Sequence, residues 1–513
     1  MAKKLFTNAK TEEALQAAIN SETIDAHIAF IEEPGNEGIY AKDKIYQTVP
    51  SNGKDGQILL SQNGKGVWTD INVLDLLSYG VEWKPNVADP VLTRVGNMSY
   101  HKTLPIQSGM KGCILNPKTK EVVYWLDESD WTYKKGGNPN KGETEDLARL
   151  DGYDGEVFVY VPEFWIKSWD EPDRKCVRIS PTKIDDSWEH QPAIFVGAYK
   201  DTVLNTVPEN MGYLSTLEKN SAISVANSAT YCRGGSNNAE DDTAVDIFKS
   251  PLGKARIDLS RPVLRNYARQ AGKEIMSYKQ YKNIMYWLYV IEYANFNSQA
   301  EFNPELTAEG FHQGGIGRGV FKIYKDYNLK QPICPNGYTN NFGNGTGIKL
   351  IESGDSESVD NTYAMRWRGI ENPFGDQGGL VLDGIIAYEV NGSLVKIYVT
   401  DDPSKYGDTK DDIANMTFMQ NCYNGYNYFI DEFALGDTAE ILVLEDTRAH
   451  ATSTTYKCDH GDIWADIPDT ICPIVYDYYI ETNNDAPGYT GLCHFLINYG
   501  GDAIGYIRTS CIV

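Results

Sequence analysis

The chain has few long apolar runs, few basic residues and few histidines. Its longest apolar run, Ile284 to Ile291, falls far short of the roughly 20 residues a membrane-spanning helix requires. Lys3 and Lys4 near the start are followed by no apolar h-region, so a soluble product without a secretory leader is expected. Lys and Arg number 47 against 71 Asp and Glu, a net charge of -24 over 513 residues. Such an excess of carboxylates is repelled by phosphate backbones and anionic lipid alike, which argues against nucleic acid and membrane surfaces as partners. The nine cysteines (Cys113, Cys176, Cys232, Cys334, Cys422, Cys458, Cys472, Cys493, Cys511) are odd in number, scattered and free of any CxxC. That pattern fits a reducing compartment of synthesis better than a disulfide scaffold.

What the chain does have is 41% hydrophobic content and many aromatics, 34 of them Tyr, enough to bury real cores in about three domains at roughly 150 residues each. Acid and tyrosine are concentrated. Residues 421 to 513 hold 14 Asp and Glu against 3 Lys and Arg, together with 10 Tyr. Tyr with Asn, Ser and Gly suits recognition loops, because a two-torsion aromatic with a polar tip gives contact area at low entropic cost. Tyr is also common in β-rich folds, and composition leaves the two readings level.

Residues 11 to 20 read as a short helix capped by Thr11, and His27 to Glu33 followed by IYAKDKIY as a hairpin. This first unit, 1 to 50, is too small to hold together well alone. Residues 51 to 80 read as a connector with a single hydrophobic strand, and 81 to 149 as a β-rich module ending in the loop KKGGNPNKGETED (134 to 146). Val157, Val159 and Val161 alternate with Phe158 and Tyr160, the pattern of a strand covered on both faces. The convincing helices are RPVLRNYARQAG and Ser277 to Asn295; in the second, Ile284, Trp287, Leu288 and Ile291 recur at helical spacing and predict one core-facing side. Beyond them the chain is dominated by Gly-rich loops.

Catalytic and metal motifs are weak. GGIGRG (314 to 319) lacks the lysine of a phosphate-binding loop, and its glycines read as turns. Cys458, His460, Asp462 and His450 lack the second ligand pair of a zinc site. DDTAVD, ESGDSESVD and DDPSKYGDTKDD are acidic but out of register for a calcium loop. No GxSxG or HExxH is present, and paired carboxylates of a glycan-cleaving enzyme are set by fold and not by spacing. A non-enzymatic protein without a cofactor is expected, with any metal undetermined.

Four strings occur in order: YVIEYANFNSQA (289 to 300), EGFHQGGIGRGV (309 to 320), CPNGYTNNFGNGTG (334 to 347) and MRWRGIENPFGD (365 to 376). They resemble the core motifs of phage receptor-binding proteins with a C-type lectin fold, relatives of retroelement-diversified tropism determinants and, more distantly, of formylglycine-generating enzymes. FVYVPEFWIKSW, HQPAIFVGAYKD and the two helices match that domain's opening elements, so the resemblance spans roughly 150 to 513. Two departures are visible: QGGLVLDG follows FGD where relatives carry a Trp-rich strand, and the catalytic cysteines of the formylglycine enzymes have no counterpart. Residues 80 to 131 also look like a module preceding such domains in phages of gut Bacteroidetes, including crAss-like phages, and the first 70 residues resemble fibre attachment regions of the same phages.

The resemblance implies an α+β chain: a virion-attachment unit (1 to 50), a connector (51 to 80), the β-rich module (81 to 149) and a large C-type lectin-like domain with two helices and many loops (150 to 513). Arg368, Gly369, Ile370, Glu371, Asn372, Pro373, Phe374 and Gly375 then form a structural turn re-entering the central sheet. The ligand face falls in the last forty residues. There Ile474, Leu496, Ile504 and Ile507 anchor strands, and Tyr476, Tyr478, Tyr479, Asn483, Asn484, Asp485, Tyr489, His494, Asn498 and Tyr499 are the candidate contacts. The implied protein is a homotrimeric head fibre, made in the host cytoplasm and residing in the virion. It would dock on capsid or tail proteins through residues 1 to 50 and bind a host surface glycan or protein. The alternatives are a tail fibre with glycan depolymerase activity and a bacterial or prophage adhesin. The acidic face points to a neutral or cationic ligand surface over a polyanionic one.

Overall fold

The computed structural model describes residues 72–84, 91–226, 231–233, 260–295, 300–316, 336–350, 363–373, 379–389, 394–423 and 505–512, together with the strands Asn8–Ala9, Ile28–Ile31, Gly38–Ala41, Gln57–Gln62, Lys65–Asp70, Pro473–Tyr476 and His494–Ile497. Helix and strand are mixed, strand being the more abundant, and the strands are divided among several small sheets. Two compact units emerge, Met1–Leu76 and Leu77–Val513.

In the first unit Ile28–Ile31 pairs antiparallel with Gly38–Ala41 and parallel with Asn8–Ala9. Residues 11 to 20, expected to be helical, lie outside the described residues. The connector holds two strands where one was expected. Gln57–Gln62 pairs antiparallel with Lys65–Asp70 in full register, as the intervening Asn63-Gly64, a two-residue hairpin signal, should have indicated.

The second unit is built on two antiparallel sheets. One runs in the order Glu274–Ile275, Thr509–Ile512, Ile194–Gly197, Glu156–Val161, Lys111–Asn116, Glu121–Trp125. The other runs Glu189–Gln191, Phe164–Glu171, Arg174–Ser180, Tyr79–Trp83, Thr93–Gly96. The stretch 81–149 therefore supplies strands to both sheets and is interleaved with strands drawn from residues 150 onward. Its loop at 134–146, expected as a boundary, is bonded inward: Asn138 Nδ2 and Lys141 Nζ donate to the buried Asp127 carboxylate at 2.9 and 2.8 Å. Burial works against ionisation of the Asp127 carboxyl, yet these donors hold it far below its ordinary value.

Glu156–Val161 has the two-sided burial its alternation predicts. Val157, Val159 and Val161 enter the main core, and Phe158 packs on the opposite face with Cys113, Leu115, Phe195 and Cys511. Pro162 removes a ladder donor, and the chain re-enters as Phe164–Glu171 in the other sheet.

The second helical segment differs from its one-face expectation. A capping box opens it, Gln280 N donating to Ser277 Oγ (3.2 Å) and Ser277 N to Gln280 Oε1 (3.0 Å). It then widens into a π-helical stretch, Tyr281–Trp287, before closing as Leu288–Tyr293. Every residue from Tyr281 to Tyr293 is buried, so the element is enclosed on all sides. Within it Asn283 Nδ2 donates to Glu189 Oε1 at 2.9 Å, and Trp287 stacks on Trp83 at 5.9 Å between ring centres. The Arg261–Gln270 helix is bound by charge. Arg265 holds Asp383 through two bonds (2.6 and 2.8 Å) and Asp408 through two more, and Arg261 adds Asp408 and three backbone carbonyls.

Candidate functional site

The motif MRWRGIEN folds as a hairpin. Tyr363–Trp367 and Ile370–Glu371 pair antiparallel, and the two residues between them, Arg368 and Gly369, have φ of 48° and 88°. That is the conformation of the tight turn that follows a strand's natural twist, one a side-chain-bearing residue resists unless held. A Cβ on Gly369 would stand 3.0 Å from the Trp131 ring and 3.2 Å from Val159. Arg368 is held by Glu292, whose carboxylate is fully buried: Nε lies 3.1 Å from both oxygens and Nη2 2.7 Å from Oε1. Trp367 Nε1 donates to the same carboxylate at 3.1 Å.

Further contacts gather at Glu292. Arg94 Nη2 donates to the backbone carbonyls of Glu292 (3.0 Å) and His312 (2.6 Å), and His312 Nδ1 lies 3.7 Å from Glu292 Oε1. One buried carboxylate thus joins a helix end, a hairpin and the 300–316 segment. Burial lowers the Arg368 guanidinium's affinity for its proton, but the charge and hydrogen bonds of Glu292, together with the nearby tyrosines, outweigh it and the net shift is upward. His312 shifts down: burial and the neighbouring arginines outweigh Glu292.

The other side of the hairpin fixes a second loop. Glu371 accepts from Gly337 N (2.7 Å), Thr339 N (2.8 Å) and Thr339 Oγ1 (2.6 Å). Arg366 is fully buried, stacks over Trp131 at 3.8 Å and donates through Nε to Gly343 O at 2.7 Å. Asn372, at φ 43°, accepts from Met365 N at 2.9 Å. Arg508, just before the final strand, donates to Gly197 O and Glu371 O at 2.6 and 2.8 Å. Burial raises the Glu371 carboxyl although Arg366 and the Thr339 donors oppose it. Glu371 and Asn372 therefore serve backbone groups, Arg368 holds the Glu292 carboxylate, Gly369 and Ile370 are packed, and Pro373 is buried beside them; Phe374 and Gly375 lie outside the described residues.

This arrangement positions loops. Its carboxylates are consumed by arginines and amides, leaving none poised as a base, and no group of three or more His, Cys, Asp or Glu among the described residues could hold a metal ion. Cys458, His460, Asp462 and His450 lie outside the described residues.

Of the candidate contact residues, Tyr476 and His494 are Cα partners in the antiparallel pair Pro473–Tyr476 and His494–Ile497. Tyr478, Tyr479, Asn483, Asn484, Asp485, Tyr489, Asn498 and Tyr499 lie outside the described residues. Pro473–Tyr476 also pairs with Gly379–Val381, which pairs with Gly505–Tyr506, and the final strand Thr509–Ile512 then enters the six-stranded sheet. The anchor Ile507 is buried there. Glu292 was not singled out from sequence; the available signal was a lone acid in the apolar string YVIEY.

Compared with protein-family models, with curated proteins and with solved structures, the chain finds no match. Among the described residues no helix is long and apolar enough to cross a membrane.

Proposed function

We propose that this chain is a homotrimeric head-fibre protein of a bacteriophage. In this reading residues 1 to 50 attach to the virion, and residues 150 to 513 form a C-type lectin-like domain that binds a glycan or protein on the host surface. The ordered resemblance of the four motifs between 289 and 376 supports it, and so does the way three of them meet in one loop-fixing hub. The observation that carries most weight is the return of the chain's end to the scaffold. The tyrosine-rich stretch 477–504 leaves from Pro473–Tyr476 and is followed by Gly505–Tyr506 of the same small sheet, then by Thr509–Ile512 between Ile194–Gly197 and Glu274–Ile275. A segment whose two ends are fixed by strands of the framework is the arrangement recognition loops use.

Tyr476, Tyr478, Tyr479, Asn483, Asn484, Asp485, Tyr489, His494, Asn498 and Tyr499 are the contacts in this reading, with aromatics stacking on apolar sugar faces or peptide and the polar groups hydrogen-bonding. The test is adsorption to host cells of virions in which Tyr478, Tyr479, Tyr489 and Tyr499 are replaced by Ala. Adsorption is expected to fall at least tenfold with particle assembly intact; unchanged adsorption would reject the assignment. Immunogold labelling with antibody to residues 421 to 513 then reads the location: capsid label supports a head fibre, and label on the tail or on no particle rejects it.

A further inference from the structure

The turn at 116–120 joins the strands Lys111–Asn116 and Glu121–Trp125. Asn116 Oδ1 accepts from Lys118 N (3.1 Å) and Lys120 N donates to Asn116 O (2.8 Å). Lys120 sits at φ 64°, a left-handed position that glycine fills without steric cost. Nothing in the turn itself asks for a lysine. Its side chain instead reaches past the end of the Arg261–Gln270 helix, where Nζ donates to Gly272 O (2.9 Å) and lies 3.3 Å from Cys511 Sγ. Both are uncharged acceptors, the thiol because burial raises its pKa and keeps it protonated. Among the described residues Lys120 has no carboxylate partner.

Beside it opens a cleft of about 290 Å³ lined by Lys120, Arg269, Glu274, Gln280, Ser510 and Cys511 among others. Arg269 Nε donates to both Glu274 oxygens (3.0 and 2.9 Å) and Nη2 to Pro403 O (2.7 Å), which fixes the guanidinium and leaves Nη1 without an acceptor among the described residues. Gln280 uses its carbonyl oxygen for Ser277 N (3.0 Å) and Ser510 Oγ (2.8 Å), so its amide Nε2 is likewise left over. Lys273, on the same wall, is consumed by Glu156 and Asp201 behind it. The cleft thus presents an ammonium, a guanidinium nitrogen and an amide, all donors, with one more cation than carboxylate between Lys120, Arg269 and Glu274. In a chain of net charge -24 this is a local reversal of sign.

We propose that the cleft is a binding site for a small carboxylate-bearing ligand of about the size of one sugar acid. The carboxylate sits between Lys120 and Arg269, and a hydroxyl oxygen accepts from the Gln280 amide. The volume lies at the lower end of small-molecule sites, which excludes an extended chain from being enclosed. Charge and donor count together select an anion rich in acceptors, and the guanidinium edge favours a planar one.

The test is calorimetric titration of the full chain with D-glucuronate, D-glucose and inorganic phosphate, on the unaltered protein and on Lys120→Gly. Glycine suits the left-handed turn, so this variant removes the charge without straining the fold. Saturable glucuronate binding, at least tenfold tighter than glucose or phosphate and weakened about tenfold in Lys120→Gly, is the expected result. No saturable binding, glucose or phosphate binding as tightly, or an unaffected Lys120→Gly would overturn it. Should that variant fail to fold, Arg269→Gln is read against the same outcomes. None of the lining residues falls within 476 to 499 and the proposal does not use the receptor-binding reading, so either can fail without the other.

Discussion

Carboxylates in the first 420 residues and in the last 93 stand in opposite situations. In the larger unit the buried ones each have a named cation or donor: Asp127 with Lys141, Glu156 and Asp201 with Lys273, Glu292 with Arg368, Asp383 with Arg265, Glu371 with Thr339. From Asn421 onward 14 Asp and Glu meet only 3 Lys and Arg, so most of them cannot be paired within that segment. The lesson is that a residue type able to build a scaffold where cations are supplied is, by composition alone, denied that supply in the last 93 residues. A buried carboxylate without its partner is costly, whereas an exposed one needs none.

The sharpest way to break this contrast is to remove one scaffold cation. Arg265→Met leaves Asp383 buried and unpaired and should cost about 3 to 5 kcal/mol of unfolding free energy, read from urea denaturation. The pair replacement Arg265→Met with Asp383→Leu should recover part of that loss. A single variant as stable as the parent would mean that the scaffold carboxylates do not depend on their cations.

A smaller effect is expected from His101, which is buried, lies 3.0 Å from Val95 O through Nε2, and has its pKa lowered to about 4, chiefly by burial. Its folded-state value lies below the unfolded one, so the unfolded chain binds the proton first on acidification. The contribution of the neutral ring is fully present above about pH 6.5 and is lost as pH falls towards 4, about 3 kcal/mol in all. Denaturation midpoints measured across that window should slope less steeply in His101→Gln; an unchanged slope would remove His101 from the acid response. The smallest change is expected in the C-terminal segment. Asp485→Asn should leave unfolding free energy within about 0.5 kcal/mol of the parent while shifting the salt dependence of adsorption. A larger stability loss would put Asp485 with the scaffold carboxylates.

Much of the scaffold was legible. The alternation of Val157, Val159 and Val161 with Phe158 marked a strand buried on both faces, and the spacing of Ile284, Trp287, Leu288 and Ile291 marked a helix, because those signals are local. The enclosure of Tyr281–Trp287 was not legible, since a helical stripe reports which residues must be buried and is silent on whether polar neighbours such as Asn283 find partners. Nor was the sharing of sheets between 81–149 and the rest, because strand pairing between Lys111–Asn116 and Glu156–Val161 leaves no local trace. The hub at Glu292 and the cleft at Lys120 escaped for a related reason: their members are separated by 76 residues in one case and by 391 in the other.

By itself the sequence determined the mixture of helix and strand, the place of the acid and tyrosine excess, and the strings on which the proposed reading rests. These depend on residue type and short-range spacing, which chain sterics and hydrophobic periodicity translate directly. Only the tertiary structure decided which carboxylates are consumed and which cation is left over. Burial and partnership are properties of residues brought together across long stretches of chain, so the charge of a site is fixed by packing and not by composition.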